Sequence, residues 1–74
     1  MEAFVERMVK EHDELHERLN KLNYFLDSNK FQDLPMDEQF DLINQYHAMV
    51  IYRLSLRRRL KRQGYDEFDK QDAE

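Results

Sequence analysis

Apolar side chains recur every three or four positions along two stretches of the chain, and Glu, Asp, Lys and Arg fill most positions between them. In the first stretch, Val5, Met8, His12, Leu15, Leu19, Leu22 and Leu26 follow one another at alternating spacings of three and four, and six of the seven are apolar. That spacing is a heptad seam and predicts a helix from about Ala3 to Leu26. Asp27-Ser28-Asn29-Lys30 is turn chemistry and ends it. Phe31 and Leu34 supply apolar anchors inside the connection. Pro35 suits the opening of a second helix, with Asp37 and Glu38 where the helix dipole favours acids. This helix is expected to run to about Gln63, with Gly64 as its stop.

The second helix carries two seams. One reads Met36, Phe40, Ile43, His47, Val50, Leu54, Arg57, and the other Leu42, Tyr46, Met49, Arg53, Leu56, Leu60. A helix in a two-helix hairpin has to bury one stripe only. Two stripes ask for a second partner, and no third long helix exists in the chain to supply it. The expected architecture is therefore all-α: a hairpin of two long antiparallel helices over residues 1–64, assembling with further copies into a homo-oligomeric bundle. Tyr46 and Met49 mark the face expected to meet another copy. Residues 65–74, YDEFDKQDAE, read as an acidic tail.

Length and composition narrow the reading further. A chain of 74 residues buries only about 60% of its unfolded surface and is marginal by itself. With no Cys, disulfides and thiolate chemistry are excluded. One Gly and one Pro are too few for an all-β fold, which needs turn residues every 8–12 positions. No apolar run reaches the ~18 residues of a membrane span, and MEAFVERM has no signal-peptide core, so the cytoplasm is the expected compartment.

The net charge of −4 conceals a segregated pattern. Residues 53–62, RLSLRRRLKR, hold six of the twelve basic side chains and none of the sixteen acids, which leaves the remainder at −10. A cationic cluster inside an acidic chain is an anion site or a solvated helix end whose cations complement the dipole. Aromatics lie among the cations, as in Tyr52-Arg53. Arginine offers forked contacts to phosphate and aromatic faces stack on bases, although such aromatics also serve as plain packing. His12 and His16, at i and i+4, have zinc-binding spacing, but a site needs a third ligand and only His47 and dispersed acids remain. The simpler reading makes His12 a partly buried seam residue and His16 a surface residue, with no metal and no cofactor. No nucleophile elbow, glycine-rich loop or organised acid/base pair is present, so a catalytic role has no support.

From Arg7 to Leu60 the chain resembles the phage anti-CBASS protein 2 family of cyclic-nucleotide sponges. The resembling features are Lys21-Leu22-Asn23 followed by Phe25-Leu26, the linker Lys30-Phe31 with Leu34, and Asp37-Glu38-Gln39. After these comes the pattern Gln45, Met49, Tyr52, Leu56, Arg59, Leu60. The resemblance implies a non-enzymatic helical hexamer in the cytoplasm of an infected bacterial cell. Such proteins hold cyclic di- or trinucleotides in pockets between protomers and so starve a defence effector. It also implies a ligand set: His12 where relatives carry an aromatic, Lys21 or Lys30 for phosphate, and Arg59 with Arg53 or Arg57, beside Tyr52. Two other classes use the same features. A basic-helix nucleic-acid binder is disfavoured by the net charge and the acidic tail, and a helical adaptor would bind a host protein through its apolar stripe.

Overall fold

The computed structural model describes residues 2–65. Three helices follow one another: α1, Ala3–Leu26; α2, Asn29–Gln32; and α3, Met36–Arg62. No strand occurs among the described residues. The contacts run in opposite senses along the two long helices: His16 meets Arg53, while Val5 and Met8 cluster with Leu56 and Leu60. α1 and α3 therefore pack antiparallel, as their short connection requires.

Val5, Met8, Leu15, Leu19, Leu56 and Leu60 are buried, and Leu60 is fully enclosed at 0% exposure. Val9, Met49 and Tyr65 pack against this cluster from its edges. Leu22 and Leu26, the last members of the α1 seam, are half-buried where the hairpin turns. The molecule measures 45 × 25 × 14 Å, and its long axis is set by the 27 residues of α3 at about 1.5 Å each. Its radius of gyration, 14.8 Å, exceeds the ~11 Å of a compact chain of this size. The hairpin is one layer of two helices, with one flank of α3 left uncovered.

The connection contains a turn of helix where the sequence suggests only a turn. Ser28 is the reason: its Oγ accepts from Phe31 N–H (3.3 Å) and donates to Phe25 O (2.6 Å). One hydroxyl thereby ends α1 and caps α2. It also seats Phe31 edge-on against Phe25, with ring centroids 6.2 Å apart. Gln39 then ties α3 to the linker, its Nε2–H donating to Leu34 O (2.8 Å) and Gln32 O (3.2 Å).

α3 ends in a Schellman arrangement. Gly64 N–H donates to Lys61 O and Tyr65 N–H to Leu60 O, both at 3.0 Å, and Gly64 takes φ +87°. Arg59, Lys61 and Arg62 occupy the last turn, where cations complement the exposed carbonyls. Tyr65, assigned from sequence to the tail, folds back on the core through this turn; the rest of the predicted tail, 66–74, lies outside the described residues. Because an L side chain resists this φ, Gly64→Ala is expected to cost about 1–2 kcal/mol. The added Cβ itself meets open space. A thermal melt should register this as a loss of roughly 4–8 °C or more.

Candidate functional site

The residues proposed from sequence fall into three groups. The first lies on the edge of the α1–α3 interface. His12 is buried on the inner face of α1, as its seam position predicts, and its Nδ1–H donates to Asp13 Oδ1 at 3.2 Å. The His12 and His16 rings stack with centroids 6.0 Å apart and planes 9° from parallel. From α3, Arg53 Nη1–H donates to His16 Nδ1 at 3.2 Å. Arg53 and Arg57 are both half-buried and stand one helical turn apart.

Tyr52 and Arg59 form the second group. They lie seven residues apart on one exposed flank of α3, turned away from the histidines. Lys21 and Lys30 make the third. Lys21 pairs on the surface of α1 with Glu17 at 3.3 Å, and Lys30 is exposed on α2. α3 starts beside α2, and 17 residues separate Met36 from Arg53, roughly 25 Å of helix. Lys30 and the two inner arginines of one chain therefore cannot hold the same small ligand.

His16 corrects the sequence reading, which assigns it to the surface. It is half-buried, stacked on His12 and bonded across the hairpin to Arg53. The available signal was its place one turn after His12 and three residues before Leu19, on the shoulder of the seam. Among the described residues, no three His, Cys, Asp or Glu side chains gather as a metal site. No helix there is long and apolar enough to cross a membrane.

The two seams of α3 have different fates. Leu56 and Leu60 are buried against α1, Met49 packs at the edge of that core, and Leu42, Tyr46 and Arg53 are half-buried on the same face. Met49 thus packs on the core of the hairpin, and Tyr46 lies half-buried one turn before it. The other seam is the uncovered one. Met36 and Phe40 are 79% and 65% exposed, Ile43, His47 and Leu54 are exposed and Val50 is half-buried, while Ile51, outside the seam but on the same flank, is 66% exposed. Arg57 sits at the border of the two, three residues after Leu54 and four after Arg53. A recess of about 380 Å³ lined by Tyr24, Asp27 and Ser28 occupies the hairpin turn. Its carboxylate and its distance from the arginines make it a poor seat for an anion.

Burial drives His12 below the ordinary imidazole value of 6.5; Asp13 offsets this in part, while Arg53 and His16 add to it. The unfolded chain therefore takes up a proton at His12 at a higher pH than the folded chain. Its contribution to stability is complete above pH 6.5 and is lost as the pH falls through that value toward the lower folded one. Melting temperatures between about pH 8 and pH 5 should decline toward acid in the wild type and decline less in His12→Leu. An equal decline in both would assign the acid sensitivity to other groups.

The family model described as Sequestin matches residues 2–62, the whole helical hairpin. The family name describes a protein that sequesters, which agrees with the sponge character implied by the sequence resemblance. No curated protein and no solved structure matches the chain.

Proposed function

The chain belongs to the Sequestin family, and we propose that it captures a phosphorylated nucleotide signal and holds it without cleaving it. Cyclic di- and trinucleotides are the first candidates, by the resemblance to anti-CBASS protein 2, and the cytoplasm of an infected bacterium is where such capture would matter. One observation supports this reading above the others: α3 carries half-buried arginines directly beside an uncovered apolar stripe. Guanidiniums supply forked, charge-assisted contacts to phosphate. The stripe gives a second copy a surface to cover, and covering it would wall off Arg57 from water on the Leu54 side. A pocket closed in this way gains affinity from pre-formed walls and a lowered dielectric.

On this reading the hairpin is a half-site, and the functional unit is a homo-oligomer, a hexamer by the same resemblance. It also brings the scattered lysines into play. Lys21 or Lys30 of one copy could face Arg53, Arg57 or Arg59 of another, and for Lys30 with the inner arginines a single hairpin does not permit this.

Calorimetry tests the reading. The panel consists of cyclic di- and trinucleotides together with linear nucleotide diphosphates. At least one member should bind with Kd below about 10 μM, near 7 kcal/mol of affinity. Raising the salt should weaken that binding only slightly. Binding to duplex DNA alone, with an affinity that collapses steeply as salt rises, would instead make the protein a nucleic-acid binder. A wholly inert panel would overturn the nucleotide reading.

A further inference from the structure

We propose that the uncovered stripe of α3 is a two-fold interface, on which a second copy of this chain lies antiparallel with the two His47 side chains at its centre. The proposal rests on the homo-oligomer of the reading above and adds the geometry of its contact. Counting outward from His47, exposed side chains on this flank recur four, seven and eleven residues away in both directions. They are Ile43 and Ile51, then Phe40 and Leu54, then Met36 and Arg58. Steps of four, seven and eleven hold them on one side of a helix. Because the spacing reads the same from either end, an antiparallel copy sets Phe40 opposite Leu54 and Ile43 opposite Ile51.

Charge chooses the direction. The acids of α3, Asp37, Glu38 and Asp41, all precede His47, and its basic residues all follow it. Parallel copies would lay acids along acids and the arginine run along its own double. Antiparallel copies lay Asp37 within one residue of the level of Arg58, and both are exposed. Burial of the apolar residues favours contact in either sense. Exposed ion pairs add little to that, but like charges repel, and the difference fixes the orientation.

The occupant follows from what else the hairpin offers. On α1 the exposed large apolar side chains are Phe4 and Tyr24, twenty residues apart. A second copy presenting α1 would therefore leave most of the stripe against polar surface, whereas α3 on α3 buries both stripes at once. The same pairing sets Lys30 at the hairpin turn of one copy toward the end of the pair that holds Arg59 and Arg62 of the other, residues that one hairpin keeps at opposite ends.

The chain has no Cys, so single cysteines report the pairing directly. Phe40→Cys and Leu54→Cys, one of them isotope-labelled, would be mixed in equal amounts in a glutathione buffer and the disulfides identified by intact mass. The mixed disulfide should exceed either self-pair roughly tenfold, because bridged Cα atoms lie within about 7 Å. Each self-pair is kept apart by 14 residues of helix, roughly 21 Å. Ile43→Cys with Ile51→Cys should repeat the result and guards against a folding defect in the first pair. Self-pairs in excess would mean parallel copies, overturning this geometry and leaving the homo-oligomer intact. No disulfide in either mixture, from a wild type that is oligomeric, would place the contact elsewhere and overturn it too. A wild type that sediments as a folded monomer would overturn it and give the stripe to a different partner. Nucleotide capture is judged separately by the calorimetric panel, so either reading can fail while the other stands.

Discussion

Replacing Leu60 with Ala is expected to leave the isolated chain largely unfolded. Leu60 is completely enclosed, lies beside Leu56 in the small cluster with Val5, Met8 and Leu15, and anchors the Schellman turn that brings Tyr65 onto the core. Truncating a buried Leu costs about 2–5 kcal/mol. A hairpin of this size has little stability in reserve, since net values of about 5–15 kcal/mol hold even for larger domains. Circular dichroism should show most of the helical signal lost near body temperature. Leu54→Ala is the matched control: the same chemical change at an exposed position on the same helix should leave the folded hairpin close to wild type. Equal losses in the two variants would mean that the buried face is not where this structure puts it.

The second large effect concerns assembly. Phe40→Glu together with Ile51→Glu places two charges on the uncovered stripe of α3. In a lone hairpin these side chains face water, so helix content should survive. In an oligomer that covers the stripe, each substitution buries an unpaired carboxylate, worth several kcal/mol against association. Sedimentation at micromolar concentration should show an oligomer for the wild type and a folded monomer for the double variant. Nucleotide affinity should fall with assembly, because pockets shared between copies disappear. A wild-type chain that sediments as a folded monomer would refute the assembly and the shared pocket together.

The elements themselves were legible in the sequence. The α1 seam predicts a helix over Ala3–Leu26 and places His12 inside, and the structure agrees on both. Pro35 and Gly64 bracket α3 as turn chemistry demands. The assignment of the two seams of α3 was not legible. Both alternate apolar residues at helical spacing and both contain a basic residue, so periodicity alone cannot say which one meets α1. Nothing local to Arg53 announces an imidazole acceptor on another helix. The His16–Arg53 contact joins residues 37 positions apart, and its register is set by packing along the whole hairpin. The linker helix was missed for a smaller reason. Ser28 reads as a turn former, and only the structure shows its hydroxyl bonding forward to Phe31 and back to Phe25.

The candidate site was legible as a chemistry and not as a place. Clustered guanidiniums in an acidic chain point to an anion whatever the fold. Where each one lies depends on the helix phase, which sends Arg53 and Arg57 toward α1 and Tyr52 and Arg59 to another flank. Lys30 stands still farther away along the hairpin. One hairpin therefore does not gather Lys30 and the arginines around one small ligand.

The central claim, capture without turnover, is tested most directly by incubating the wild-type protein with the tightest nucleotide on the panel. Native mass spectrometry should record an oligomer carrying ligand. Denaturing the same sample should then return the nucleotide at its original mass and in its original amount. Recovery of a cleaved or altered nucleotide would show an enzyme and contradict the account.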